Sequence, residues 1–379
     1  ELLKSIKKFV FPFDPSFKSP IVDHFTFVLT DIDGKFKFGF CRLSEGSKLC
    51  HCVVSCHPWF EIFYRLLNQF SDLMNSHQVS YINKWIDSLL RINYLNSTEP
   101  ASNRELTSSS VFVFQVPDAT KLMSIPQSRN LTEYYCAVDS KNMMQIFASM
   151  LLERRIIVTS HKLSKLTACI HTAAHLLFPF HWQHIFIPIL PPHLLDFCSA
   201  PMPFLIGIHT SLWNRINKDD LSDALVLDAD ANDILSEFND LDHFPPDVLA
   251  KLKKYLNVKT KMKNLDGEII PRAFLKVLVI IFGGYRTAFK MNEDKEIVFD
   301  SGLFLQSRPK HMKNFLQVVL QSQIFQQFIE ERLNLIKAKK GYNDAFEAEI
   351  STYDSKRVKR KVCMHCVHTI HIIHSQIYH

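Results

Sequence analysis

Two runs in which apolar and polar residues alternate, His24-Phe-Thr-Phe-Val-Leu-Thr30 and Lys35-Phe-Lys-Phe-Gly-Phe-Cys-Arg-Leu43, flank Asp33-Gly34. A period of two places alternate side chains on opposite faces of a strand, and Asp-Gly is a strong hairpin-turn signal. Leu49-Cys-His-Cys-Val-Val-Ser-Cys56 adds a third β-rich run, so residues 24–56 predict a small antiparallel meander. From Pro58 the period lengthens. Phe60, Phe63, Tyr64, Leu67, Phe70 and Leu73 recur at three- and four-residue steps, and Tyr81, Trp85, Leu89 and Ile92 repeat the pattern after His77-Gln78. Two helices covering one face of the sheet are predicted. Asn93 to Ser110, rich in Asn, Ser and Thr, reads as a linker. It isolates a short strand, Val111-Phe-Val-Phe-Gln-Val-Pro117, ahead of a Pro-containing turn region up to Asn130.

The next unit alternates differently: a nearly all-apolar helix over Asn142–Arg154, a strand at Ile156–Ser160, a helix over Lys162–Phe178, and a strand at His184–Ile189. A turn through Pro191-Pro192, a short helix, and strands at Phe204–Ile208 and Ala224–Asp228 follow. Apolar strands alternating with helices predict a mostly parallel sheet covered on both faces. From Pro245 the pattern is helical only, with helices at Asp247–Tyr255, Pro271–Lys290, His311–Leu320 and Ile324–Ile336. The expected fold class is therefore α/β in its centre and α+β as a whole. The expected units are 1–100, 111–245 and 246–350, followed by a structureless basic, His-rich tail at 351–379.

Composition narrows the function. The chain has 379 residues, 47% of them hydrophobic, enough for sizeable cores, and only 9 glycines, too few to suggest phosphate-cradling loops. A net charge of +6 without a basic stripe argues against a nucleic-acid binder. Nine cysteines, an odd number at scattered positions mostly in apolar runs, suit free thiols in a reducing, cytoplasmic setting. No apolar stretch reaches a membrane span, and no secretory leader is visible. The opening Glu1-Leu-Leu-Lys suggests a fragment.

Candidate chemistry is sparse. Gly34 and Gly39 have Walker spacing, but Phe40-Cys41 stand where Lys and Ser/Thr belong. His171 and His175, with His181 and His184 nearby, share a helix face that could ligate zinc; with no carboxylate or thiolate to close the site, we read them as partly buried polar filler. Cys50-His51 and Cys56-His57 are adjacent on a strand and point to opposite faces. Cys363, His365, Cys366 and His368 have metal-ligand spacing in the tail, which we read as structureless. Arg154-Arg155 could reach a nucleotide on a GTPase; pairing with nearby carboxylates is the reading we adopt.

The residues carry a resemblance as well. Ser149-Met-Leu-Leu-Glu-Arg-Arg-Ile-Ile-Val-Thr-Ser160, Lys162–His171, Trp182–Pro188, Leu190-Pro-Pro-His-Leu-Leu-Asp196 and Ala200–His209 resemble the core of a DENN domain. Pro58-Trp-Phe-Glu61, Asn130-Leu-Thr-Glu-Tyr134, Pro271–Leu275, Gly284-Tyr-Arg286 and Gln327–Arg332 resemble the connecdenn branch, over about residues 1–350. The resemblance implies a tripartite architecture: a longin-like sheet with helices, a central α/β module and a helical module. The family usually has a strand before Phe11-Pro12-Phe13, so an open sheet edge is expected here. The implied activity is guanine nucleotide exchange on a Rab small GTPase, most simply the recycling-endosome Rab numbered thirty-five, in clathrin-mediated endocytosis and recycling. Recruitment to coated vesicles and endosomes would involve peripheral membrane association at most, and clathrin adaptors would act through regions not present here. No cofactor or metal is called for. The expected GTPase-binding residues are Trp59, Phe60 and Phe63 on the longin side. On the central side they are Asn130, Glu133, Tyr134, Pro192, His193, Asp196, Pro201 and Met202, taken as loop positions near strand ends. A non-catalytic DENN-fold adaptor is the competing reading, with a DENN-like GTPase-activating protein and a His-cluster metal hydrolase behind it.

Overall fold

The first hairpin closes as Asp33-Gly34 predicts. Gly34 takes φ +75°, where a Cβ is disfavoured, and donates its N–H to the Asp31 carbonyl at 3.0 Å, while the Asp31 carboxylate accepts the Lys35 N–H at 2.8 Å. The computed structural model describes residues 2–76, 82–83, 86, 116–118, 121–221, 223–257, 267–293, 296–341 and 343–356. Of the expected elements, most of the Tyr81–Ile92 helix, the linker, most of the strand at 111–117 and the tail beyond 356 lie outside the described residues.

Strands β1 (Asp23–Thr30), β2 (Phe36–Leu43) and β3 (Cys50–Ser55) form the predicted antiparallel meander, in the order β1-β2-β3. Helix α1 (Leu2–Phe9) precedes it and α2 (Phe60–Asn75) follows. The alternation assigns the two faces. Thr26 and Phe40 face α2, with Thr26 Oγ1 2.7 Å from the Tyr64 hydroxyl and the Phe40 ring stacked on Phe63 at 4.6 Å. Phe27 faces the other way, 5.3 Å from Phe9 of α1.

In the central unit come α3 (Arg129–Ala137), α4 (Ser140–Leu151), β4 (Arg155–Ser160), α5 (Leu163–His175), β5 (Ile185–Ile187), β6 (Phe204–His209), β7 (Ala224–Asp228) and β8 (Asp233–Leu235). The sheet order is β5-β6-β4-β7-β8. The first four strands are parallel, as predicted, and the short β8 adds an antiparallel edge. Two corrections apply. Asn130 to Tyr134 are helical, not loop: the Ser128 side chain accepts the Leu131 N–H and opens α3, a cap signal hidden in a polar stretch. And the β1 edge is not open. Phe25, Thr26 and Phe27 are fully buried, and the Asp23 carboxylate accepts the Leu163 N–H at the start of α5, at 2.9 Å.

The third unit holds α6 (Pro246–Leu256), α7 (Ile269–Phe282), α8 (Ser301–Gln306), α9 (Lys313–Val319), α10 (Gln323–Lys337) and a helix, α11, at 345–356. It is not all-helical. The helix expected to run to Lys290 stops at Gly283, and a hairpin of β9 (Phe289–Met291) and β10 (Ile297–Phe299) follows. Three-residue strands are too short to display a period of two. The final helix continues past residue 351, where a structureless tail was expected to begin. No helix among the described residues is long and apolar enough to cross a membrane.

Candidate functional site

The three-stranded sheet meets the central unit through helices α2, α3 and α5. Phe60, the first residue of α2, packs edge-on against His171 of α5 at 4.8 Å and against Phe40 of the sheet at 5.6 Å. Phe36 stacks on Phe186 of β5 at 5.8 Å. Burial among these rings holds His171 neutral, its pKa driven down to about 3. A polar string runs alongside. Glu61 of α2 accepts the Arg129 N–H at the start of α3, at 2.7 Å, satisfying a helix-terminal donor with a carboxylate. Burial raises the pKa of that carboxyl. Arg129 lies 3.8 Å from Glu133, which lies 3.6 Å from Lys162 ahead of α5. Glu61 escaped the list of site residues although it ends the Pro58-Trp-Phe-Glu motif; its role needs a partner 68 residues away, which no local pattern shows.

The expected site residues separate into two groups. Phe60, Phe63, Asn130, Glu133 and Tyr134 gather at the α2, α3 and α5 junction, and Trp59 stands just ahead of α2. Asn130 and Tyr134 are buried there, and Phe60 and Phe63 are half-buried against the core. They build the junction more than they present a surface. Trp59 is half-buried, stacked on His57 at 4.4 Å and packed with Ile62, Leu66 and Val116. The second group lies on and after the 3₁₀ segment Pro192–Ser199, which leads back from the end of β5 to the start of β6. His193 is exposed near Phe9, its ring 6.2 Å away, on the α1 side of the longin-like sheet. Asp196, Phe197, Pro201 and Met202 are exposed further along. Trp59 and His193 therefore attach to opposite faces of the three-stranded sheet.

A second feature at the ends of β4 and β7 was missed in the sequence. Asp230 accepts hydrogen bonds from the Ser160 hydroxyl (2.8 Å), the His161 N–H (2.7 Å) and Lys165 (2.8 Å). Burial pushes its carboxyl up, but these donors outweigh it and leave the pKa at about 2. Beside it lies a cavity of about 350 Å³ lined by Cys136, Asp139, Lys165, Asp230 and Asn232, among others. Its charged groups already have partners: the Asp139 carboxylate accepts the Asn142 N–H, and Lys165 donates to Asp230.

The readings set aside in the sequence fall into place. Arg154 binds Asp240 through Nε (3.1 Å) and Nη2 (2.9 Å) and lies 4.0 Å over the Phe238 ring, while Arg155 pairs with Asp223 and donates to the Cys198 carbonyl. Both guanidinium groups are held by their own chain, as the carboxylate-pairing reading expected. His171 is more deeply buried than a partly buried filler, and among the described residues no group of three or more His, Cys, Asp or Glu could hold a metal. Gly39 lies in β2 under the Phe27 ring, not in a phosphate loop.

Three families match successive parts of the chain: the uDENN domain over residues 1–44, the DENN (AEX-3) domain over 47–232, and the dDENN domain over 299–349. Among curated relatives, DENN domain-containing protein 1B of Mus musculus is 46% identical over 354 residues, covering 93% of this chain and 45% of that protein. DENN domain-containing protein 1A of Homo sapiens is also 46% identical, over 93% of this chain and 34% of that protein. DENN domain-containing protein 2B of Homo sapiens is 28% identical over 93% of this chain. The chain thus spans a third to just under half the length of these relatives. With three domain matches in order and this identity to the protein 1 members, the chain belongs to the DENN-domain family, in its connecdenn branch.

Proposed function

We propose that this chain is a guanine nucleotide exchange factor for a Rab small GTPase, and that its substrate is the recycling-endosome Rab numbered thirty-five, in clathrin-mediated endocytosis and endosomal recycling. The observation that carries the reading is the ordered succession of the three DENN matches along a chain nearly half identical to the protein 1 members. The scarcity of glycine accords with it, because in such a reaction the nucleotide belongs to the partner.

No bond is made or broken. An exchange factor binds the nucleotide-free GTPase more tightly than the loaded one, and by linkage the same factor weakens GDP and speeds its release. Prying the switch segments from nucleotide and Mg²⁺ is the structural form this takes. The exposed members of the nominated set, His193, Asp196, Pro201 and Met202, with half-buried Trp59 and Pro192, are proposed as contacts. Phe60, Phe63, Asn130, Glu133 and Tyr134 are proposed to set the angle between the modules that carry them.

The test is release of a fluorescent GDP from a panel of purified Rabs, with excess GTP and increasing amounts of this chain. Acceleration of the Rab numbered thirty-five in proportion to added protein is expected. A folded chain that binds that Rab and leaves the release rate unchanged would establish the adaptor reading instead.

A further inference from the structure

Cys41, Cys50 and Cys52 come together on the α1 face of the three-stranded sheet, and nothing in the exchange reading uses them. Cys41 is directly opposite Cys52 in the β2–β3 register, and Cys50 follows two residues along the same face. Cys50 and Cys52 are near enough to Cys41 to raise its thiol's pKa, while the Cys41 thiol itself donates to the Gly39 carbonyl at 3.9 Å. The hydrogen-bond phase fixes what kind of pair this is. Ser44 donates its N–H to the Leu49 carbonyl at 2.8 Å, so 44 and 49 are a hydrogen-bonded pair. Pairs alternate along an antiparallel ladder, so three steps on, Cys41 and Cys52 form a non-hydrogen-bonded pair. In such pairs the Cα atoms approach to about 4.5 Å, within the roughly 4.4–6.8 Å span of disulfides. Cys50 and Cys52, two residues apart on one strand, are separated by about 6.7 Å, at the far limit of that span.

We propose that Cys41 and Cys52 form an oxidisable dithiol, a modification site that closes to a disulfide with hydrogen peroxide as oxidant. Cys52 is half-buried on the edge strand β3 and is the sulfur a peroxide reaches; Cys41 is fully buried. The Cys52 thiolate attacks one peroxide oxygen, the O–O bond breaks, and the departing hydroxide takes up the thiol's proton, giving Cys52 sulfenic acid and water. Cys41 then attacks that sulfur: an S–S bond forms, the S–O bond breaks, and the hydroxyl leaves with the Cys41 proton as a second water. Two thiols lose two electrons in total and the peroxide gains them. Burial first, and then the neighbouring Cys50 and Cys52, push the Cys41 thiol's pKa well up, which disfavours it as the sulfur that meets peroxide first. The product would fasten the edge strand β3 to β2.

The experiment treats the folded chain with hydrogen peroxide, blocks remaining thiols with N-ethylmaleimide, and maps non-reduced peptides by mass spectrometry. The expected product is the Cys41 peptide joined to the peptide holding Cys52, two hydrogens lighter than their sum and released by dithiothreitol. It should be lost in Cys52→Ser and kept in Cys50→Ser. Should Cys52→Ser not fold, fragment ions of the wild-type cross-link place the bond at Cys52 or at Cys50. The proposal is overturned if exposed Cys56 and Cys136 are oxidised while Cys41 remains fully alkylatable after unfolding, or if the bond maps to Cys50.

Discussion

The two sheets of this molecule solve the same burial problem in different ways. In the parallel sheet every residue of β6 is buried, and helices from its own unit supply the cover. The antiparallel sheet has a buried strand at one edge and a half-buried one at the other, and part of its cover comes from elsewhere: α5 sets its first N–H groups on the Asp23 carboxylate and lends His171 to the ring cluster around Phe60. The first module of a DENN domain is thus built against the second. The junction between them is packed with aromatic rings, Phe60 against His171 and Phe36 against Phe186.

Glycine gives the sharpest contrast. A Cβ on Gly207 of β6 would lie 2.1 Å from the Pro188 carbonyl oxygen, and one on Gly39 of β2 would lie 2.1 Å from the Phe27 ring. The carbonyl belongs to a chain segment pinned by the Leu190 N–H on the Gly207 carbonyl at 2.7 Å, whereas the Phe27 ring is the far end of a side chain and can swing aside about χ1. Gly207→Ala should therefore cost more than about 3 kcal/mol and Gly39→Ala about 1–3 kcal/mol, measured by urea unfolding. The reverse order would break the comparison.

Removing a charge partner comes next in size. Asp240 is fully buried with Arg154 and the Ser149 hydroxyl on its carboxylate. Arg154→Ala should destabilise the chain by about 3 kcal/mol by leaving that carboxylate short of its cation. If it slows nucleotide exchange without loss of stability, the structural role assigned to this arginine is wrong.

Acid should loosen the junction. Burial lowers the pKa of His24 to about 4 and of His171 to about 3, both below the ordinary value of 6.5. The unfolded chain then binds more protons below pH 6.5, so the contribution is present above that value and is lost as pH falls toward 4 and then 3. Hydrogen exchange at β1 and α2 should quicken over this range, and His171→Gln should flatten the response. An unchanged profile in that variant would remove His171 from the explanation.

The smallest effect on stability belongs to the rim. Asp196 is exposed, and Asp196→Ala should change unfolding free energy by less than about 0.5 kcal/mol while slowing GDP release. Equal exchange rates for variant and parent would take it out of the contact surface.

How legible each part was follows from how local its cause is. The Asp33-Gly34 hairpin, the α2 stripe and the parallel strands are written in short-range periodicity, and all are present. The start of α3 was lost because Ser128 announces a helix only through its side-chain bond, inside a segment otherwise rich in turn residues. β8 and the β9–β10 hairpin are three-residue strands with no room for a pattern. The site residues were the least legible. Apolar aromatics such as Phe60 look the same in sequence whether they face a partner or a neighbouring module, and the bonds that decide it, Glu61 to Arg129 and Asp23 to Leu163, span 68 and 140 residues.

The central claim is that this chain discriminates between two states of a GTPase, and affinity measures that directly. Binding of the chain to the Rab numbered thirty-five should be measured with the GTPase nucleotide-free and loaded with GDP, by calorimetry or surface-based kinetics. The account predicts much tighter binding to the nucleotide-free form, weakened by excess GDP. Equal affinity for both forms would contradict it, since a ligand that binds two states equally shifts neither.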